Sequence, residues 1–214
     1  MIQIRYSILR NPDSDALVNK HISKLPPTIQ GQIKSFRFQK DRQLNLVGKL
    51  LIEQTAKSFG ISKEVLGQLC YSEYKRPFLS REIDFNISHS GSCVMLVMSN
   101  KGRVGIDVEE IKKVNPDEFQ DFFTSEEMAD IRQSDDPSKR LFHWWTQKES
   151  LMKADGRGLY IPAREIRIIE NTGYLEKQKW FLRPVPIGGP YTAHLATDWQ
   201  LADENIDIQQ IEFN

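Results

Sequence analysis

Val104-Gly105-Ile106-Asp107-Val108-Glu109-Glu110-Ile111 decides how this chain folds, because apolar residues and carboxylates alternate along it with a period of two. A strand of that period turns Ile106 and Val108 toward a core and sets Asp107 and Glu109 side by side on the other face. Two carboxylates on one face of a strand can chelate a hard cation. A half-buried strand with a solvated acidic face has the same pattern, and taken alone the stretch favours that plainer reading.

Immediately upstream, residues 83–88 and 93–99 read as strands, and the turn Asn100-Lys101-Gly102 delivers the chain into the central strand, with antiparallel pairing expected. Farther back, an alternating start is followed by Pro26-Pro27 with a helix from Thr28, and by a helix over 41–59 with Leu44, Val47, Leu51 and Thr55 in helical spacing. A short helix is expected over 62–69, capped by Ser62. Downstream, Asn115-Pro116 opens a helix ending near Phe123, Thr124 and Glu127 form a capping box, and Pro137 and Gly156 bracket a helix over 138–155. Strands over 165–170, 180–183, 191–197 and 206–211 follow, separated by turns at Asn171-Thr172-Gly173 and Gly188-Gly189-Pro190. The expected class is α+β, as two similar halves, residues 1–102 and 103–214, each an antiparallel sheet with packed helices.

At 214 residues the chain buries a substantial core, and 39% hydrophobic with 27% charged residues is ordinary globular composition. No apolar run is long enough for a spanning helix, and residues 1–9 lack the basic head and apolar block of a signal peptide. Two cysteines, Cys70 and Cys93, without a CxxC spacing suggest neither a disulfide framework nor structural zinc. A soluble cytoplasmic protein is expected. The net charge of zero divides unevenly: residues 1–102 hold 15 Lys+Arg against 8 Asp+Glu, or +7, and residues 103–214 hold 14 against 21, or −7. The first half suits a polyanion and the second a cation, while the neutral total argues against a general nucleic-acid binder.

On the helix over 138–155, Phe142, Trp145, Glu149 and Met152 recur at spacings of three, four and three, which puts Glu149 on the apolar stripe. A carboxylate there needs a cation, a metal or a hydrogen-bond network; Lys153, four residues on, offers a plain helix ion pair. Residues 85–91 (FNISHSG), where a strand runs into a turn, hold His89, suited to binding phosphate, moving a proton or capping the turn. Asp107, Glu109 and Glu149 together favour oxygen-ligated Mg²⁺ or Mn²⁺.

These blocks, 85–91, 104–109 (VGIDVE), 122–127 (FFTSEE) and 145–159 (WTQKESLMKADGRGL), are similar in order and spacing to the 4′-phosphopantetheinyl transferases of the larger, surfactin-synthetase-activating type. Phe36-Arg37-Phe38, Asp41-Arg42 and Gly48 extend the resemblance, which covers roughly residues 30 to 160. It implies transfer of the phosphopantetheine arm of coenzyme A to a serine of an acyl, peptidyl or aryl carrier protein, releasing adenosine 3′,5′-bisphosphate. The carrier would serve fatty-acid, polyketide or non-ribosomal peptide synthesis. The resemblance also implies a pseudo-twofold monomer with its site between the halves, coenzyme A on the first and the metal on the second. By motif position Asp107, Glu109 and Glu149 become Mg²⁺ ligands. Arg76, His89 and Lys153 fall on the coenzyme A phosphates, with Lys75, Lys148 and Ser88 as further candidates; the plain alternative for Lys148 is a solvated side chain. Glu149, Lys153 and His89 would be catalytic, with either Glu149 or a metal-bound water as base. Two positions depart from the pattern: Gln32 stands where a basic 3′-phosphate contact is usual, leaving Lys34 or Lys40 to substitute, and Lys75-Arg76-Pro77 replaces Gly-Lys-Pro. A binding module for carrier protein or nucleotide, and a metal-dependent phosphohydrolase, are the rival functions.

Overall fold

Strands that are apolar on both faces need cover on both, and this chain supplies it by stacking layers. The computed structural model describes residues 1–61, 64–79, 82–201 and 206–213. In chain order its elements are β1 (Ile2–Ile8), α1 (Ala16–His21), α2 (Pro27–Ser35), α3 (Gln39–Ser58), β2 (Leu69–Tyr71), β3 (Pro77–Leu79), β4 (Asp84–Ser90), β5 (Cys93–Ser99) and β6 (Val104–Glu110). Then come α4 (Ser125–Gln133), α5 (Pro137–Asp155), β7 (Arg167–Ile169), β8 (Thr172–Leu175), β9 (Gln178–Pro184), β10 (Tyr191–Thr197) and β11 (Ile206–Gln210). The class is mixed α+β.

Among the described residues one sheet runs β11-β1-β5-β4 and another β6-β10-β9-β8-β7, with β2 and β3 forming a separate hairpin. Pairing is antiparallel except between β1 and β11, which run parallel, Ile4 opposite Ile208. Two expectations change here. The strand over 206–211 does not pair within the second half but crosses back to the sheet of the first. And β5 does not pair with β6: β5 lies between β1 and β4, β6 pairs with β10, and the Asn100-Lys101-Gly102 turn carries the chain from one sheet to the other. The reason is burial. β5 is buried at every residue, so both of its edges and both of its faces are taken by other elements.

Alternate side chains of β5 serve different layers. Val94, Leu96 and Met98 pack with Leu46, Leu51 and Ile52 of α3. Cys93, Met95 and Val97 pack with Ile2 and Ile4 of β1 and with Val104, Ile106, Val108, Ala193 and Leu195 of the second sheet. The other face of that sheet, through Leu182 and Ala196, meets Leu151, Met152 and Ala154 of α5. Helices, sheet, sheet and helix therefore stack in that order.

Local chemistry sets the helix ends. Asp136 accepts the amide of Lys139 at 3.0 Å, Pro137 takes the first helical position, and Gly156 ends α5 in the left-handed conformation at φ 98°. The expected capping box starts α4, with Thr124 and Glu127 each accepting the other's amide at 3.2 and 2.9 Å. The helix expected after Asn115 is a 3₁₀ helix, Pro116–Phe122, and part of the turn expected at 171–173 is instead the start of β8. A 3₁₀ turn, Val65–Gln68, occupies part of the helix expected over 62–69, whose cap Ser62 lies outside the described residues.

One contact brings α5 to the acidic strand. A β-carbon on Gly105 would lie 2.0 Å from the Ser150 carbonyl oxygen and 2.3 Å from the Ala154 nitrogen, so only glycine lets the α5 backbone rest on β6. Glu149 and Lys153 thereby reach the face that carries Asp107.

Candidate active site

β4 and β6 are edge strands of different sheets, and their edges meet without a backbone ladder. Side chains of β4 take its place. Asp84 Oδ2, Asn86 Oδ1, Ser88 Oγ and Ser90 Oγ accept the amides of Val104, Ile106, Val108 and Glu110 at 2.8, 3.0, 3.4 and 3.1 Å. Each pair is 20 residues apart, so the two strands run in parallel register with β4 side chains as the rungs. Buried amides that would otherwise be orphaned are satisfied this way.

The two serine rungs also reach the carboxylates. Ser88 donates its hydroxyl to Asp107 Oδ1 at 2.8 Å, and Ser90 donates to Glu109 Oε2 at 2.5 Å. From α5, the Lys153 ammonium lies 2.6 Å from Asp107 Oδ1, 2.9 Å from Ser88 Oγ and 3.8 Å from Glu149 Oε2. Asp107, Glu109, Glu149, Lys153 and Ser88, five of the residues singled out by sequence, are thus gathered at one seam between the sheets.

Burial and mutual repulsion set the protonation of this cluster. Desolvation is the largest effect on Glu149 and pushes its carboxyl up to about 7, against the pull of Lys153 and with help from the charges of Asp107 and Glu109. Glu109 is raised by desolvation too, with the Ser90 hydroxyl working in the opposite direction. Desolvation disfavours the Lys153 ammonium, but Asp107 and Glu149 outweigh it and its pKa is raised. His89 lies between Ser88 and Ser90, so strand alternation puts it on the opposite face of β4, where desolvation and then the charge of Lys153 lower its pKa.

Other expected residues are placed elsewhere. Arg76 forms a two-pronged pair with Asp84, both contacts at 2.8 Å, and also donates to the carbonyls of Lys153 and Val104 at 3.1 Å. A guanidinium so committed ties β3, β4, β6 and α5 together, while it also lines an open depression of about 250 Å³ with Tyr74, Arg103 and Arg157. Lys75 is exposed at the tip of the β2–β3 hairpin with φ 61°. Lys148 is neither solvated nor in the cleft: it is wholly buried, 2.8 Å from Glu127 Oε2, and donates to the carbonyls of Ala163 and Ile166 at 2.9 and 3.2 Å. Glu127, expected as the partner of Thr124 in the capping box, is also the counter-ion of Lys148. Gln32 and Lys34 are exposed on α2, whereas Lys40 lines an open depression of about 530 Å³ with Arg37, Phe38 and Asp41 at the start of α3.

Sequence inspection missed Ser90, though a period of two from Ser88 points to it. It also missed His194, buried on β10 opposite Asp107 and bonded through Nδ1 to the Thr146 hydroxyl at 2.8 Å. Burial, reinforced by the neighbouring His143, holds His194 down at about 3.

As they stand, no three His, Cys, Asp or Glu side chains among the described residues are arranged around a metal position; the cation at the centre of the cluster is Lys153. The donor set nevertheless fits a hard divalent ion. Asp107 Oδ2 is buried with no hydrogen-bond partner, and the neighbouring carboxylates are raised in part by one another's charge, which an added cation would relieve.

Two family models match the chain: one described as 4′-phosphopantetheinyl transferase, N-terminal, over residues 11–101, and one as the 4′-phosphopantetheinyl transferase superfamily over residues 103–202. Among individual proteins, the 4′-phosphopantetheinyl transferase gsp of Aneurinibacillus migulanus is 36% identical over 62% of this chain and 56% of its own length. The 4′-phosphopantetheinyl transferase Sfp of Bacillus subtilis strain 168 is 27% identical over 67% of this chain and 65% of its own length. A putative 4′-phosphopantetheinyl transferase of Haemophilus influenzae is 30% identical over 74% of this chain and 68% of its own length. The chain thus spans less than two thirds of the first two relatives.

Proposed function

This chain belongs to the 4′-phosphopantetheinyl transferase superfamily, and from that premise we propose that it transfers the phosphopantetheine arm of coenzyme A to a serine of an apo carrier protein, with adenosine 3′,5′-bisphosphate leaving. The single observation that carries the reading is the cluster at the β4–β6 seam, three carboxylates and an ammonium around the unpartnered Oδ2 of Asp107. Asp107, Glu109 and Glu149 would hold Mg²⁺, or Mn²⁺ in its place, and the ion when bound supplies charge neutralisation at the pyrophosphate.

The chain's own side chains do the rest. Lys153 carries a positive charge whose position is fixed by Asp107 and Ser88, which suits stabilising charge as the phosphoryl group moves between oxygens. His89, on the α3 side of β4 near Asp41, would meet the phosphates from the first half. The proton of the attacking carrier serine would pass to Glu149, beside Lys153 at the seam, or to a water held by the ion, the two bases open to this site. The new bond joins the serine oxygen to the phosphorus of the arm, and the bond from that phosphorus to the departing nucleotide breaks.

The two matched segments meet between residues 101 and 103, which supports dividing the chain there into a coenzyme A half, 1–102, and a metal half, 103–214, with β11 returning from the second to the sheet of the first. The acyl, peptidyl or aryl carrier, the monomeric state and a cytoplasmic setting belong to the same proposal. No helix among the described residues is long and apolar enough to cross a membrane.

Incubation with coenzyme A, Mg²⁺ and a panel of apo carriers, followed by mass spectrometry of the carrier, is the test. The expected result is a carrier heavier by one phosphopantetheine arm, abolished in Asp107→Ala and Glu149→Ala while both variants keep a cooperative melt. No gain on any carrier would overturn the transferase, and phosphopantetheine released to water without a carrier would point to a phosphohydrolase. Full activity in either variant would overturn the site.

A further inference from the structure

We propose that Ser90 is a positioning residue for Glu109, resting on the metal-dependent reading above: its hydroxyl holds the Glu109 carboxylate through Oε2, alongside a hydrogen bond from the Trp145 side chain, and so orients it toward the cation. The geometry allows the hydroxyl little choice. Ser90 Oγ already accepts the Glu110 amide at 3.1 Å, so its one hydrogen is directed to Glu109 Oε2 at 2.5 Å. Ser90 is also the last of four rungs at a constant separation of 20 residues, so the register that joins the sheets is the register that aims the carboxylate. The next residue closes the space around it. Gly91 has φ +59°, and a β-carbon there would meet the Glu110 carboxyl carbon at 2.6 Å, so the hairpin turn packs directly against the end of β6.

The rungs also supply the comparison that separates aiming from mere stitching. Asn86 accepts the buried amide of Ile106 at 3.0 Å, as Ser90 accepts that of Glu110, but no hydrogen bond joins its side chain to a carboxylate. Loss of a rung alone should therefore weaken the fold at either position, whereas loss of aim should appear only at Ser90. Groups that orient metal-ligating carboxylates typically change metal affinity by about 10–100-fold when removed.

The experiment is titration of the full-length protein with Mn²⁺ alone, free Mn²⁺ being read by electron paramagnetic resonance, for the wild type, Ser90→Ala, Ser90→Thr and Asn86→Ala, each with a thermal melt. Ser90→Ala is expected to raise the Mn²⁺ dissociation constant about tenfold or more. Ser90→Thr, which keeps the hydroxyl, and Asn86→Ala should both stay within about threefold of the wild type, though Asn86→Ala melts lower. In the transfer assay Ser90→Ala should need correspondingly more Mg²⁺ for half-maximal rate with an unchanged KM for coenzyme A. Should Ser90→Ala fail to fold, Ser90→Cys, similar in size with a weaker donor, is judged by the same criteria. Wild-type affinity in Ser90→Ala, equal weakening in Ser90→Ala and Asn86→Ala, or absence of Mn²⁺ binding by the wild type would each overturn the proposal. Wild-type Mn²⁺ binding with the expected variant pattern but no transfer to any carrier would instead uphold the aiming of Glu109 and overturn the transferase reading alone.

Discussion

Lys148 and Lys153 stand five residues apart on α5, and burial opposes the charge of both. Lys148 is held by one carboxylate and two carbonyls in a site closed to solvent, a structural ion pair; Lys153 faces Asp107 and Glu149 at the seam. The same helical-wheel reasoning that put Glu149 on the buried stripe made Lys148 an outward residue, and it failed because α4 covers a second face of α5. Asp107, Glu109 and Glu149 were legible because a carboxylate inside an apolar period stands out. Ser90 was not, since a serine beside charged residues reads as turn chemistry until its hydroxyl is seen to end on Glu109. His194 gives a prediction at this scale. Its folded pKa of about 3 lies below the ordinary 6.5, so the folded state needs it neutral and the unfolded chain binds its proton first. Its contribution is fully present above pH 6.5 and is lost progressively as pH falls from 6.5 toward 3. Over that window the loss is expected to reach a few kcal/mol at most, about 1.4 kcal/mol per unit of separation. Urea denaturation of the wild type and His194→Gln across that range should show the variant losing less stability on acidification; parallel losses would contradict the assignment.

The elements divide by how local their causes are. α5 and the start of α4 were legible almost to the residue because a proline, a capping box and a terminal glycine are chemistry within one turn of the helix end. The expected β5–β6 pairing was not found, because an Asn-Lys-Gly turn serves a hairpin and a crossing between sheets equally well; the choice was made by what packs on β5, which lies far away in sequence. Two glycines make the distinction measurable. Gly105→Ala drives a methyl group into the α5 backbone, with nearest atoms at 2.0 and 2.3 Å, and backbone cannot rotate away as a side chain can. A destabilisation of roughly 3 kcal/mol or more is expected, the upper end of overpacking costs, and urea denaturation would read it. Gly31 lies exposed within α2 with nothing within 4 Å of a β-carbon. Gly31→Ala should stabilise by about 0.5–1 kcal/mol through helix propensity and a less flexible unfolded chain. A Gly105→Ala protein as stable as the wild type would mean that α5 does not rest on β6 as described.

The two families of contact that hold the molecule together cross the middle of the sequence in opposite directions. The rungs of β4 bind the first sheet to the start of the second half, while β11, near the far end of the chain, returns to lie parallel with β1. Arg5 secures that return: its guanidinium donates to the Asp207 carbonyl at 2.9 Å and to its carboxylate at 2.5 Å, and the Ile211 amide reaches the Tyr6 carbonyl at 2.8 Å. A strand order of this kind has no local signature, since β11 reads the same whichever sheet receives it. Its consequence is that β1 is an interior strand only while β11 is present. A chain ending after Leu201 would leave the β1 edge open beside β5 and strand the nearly buried Arg5 without its partner. An open edge recruits other strands, and the packing of Ile206, Ile208 and Ile211 is lost with β11, so the shortened protein should lose about 3–5 kcal/mol. For a chain of this size that corresponds to a fall in melting temperature of about 10 °C, together with self-association that grows with concentration. Calorimetry and light scattering on the shortened and full-length chains measure both. The carboxylate cluster, on β6 and α5, sits against β4, the opposite edge of the sheet that contains β1, so below its new melting temperature the shortened chain should still bind Mn²⁺ with an affinity close to that of the full chain. Equal melting temperatures with a monomeric shortened chain would show instead that β1 needs no partner on that side.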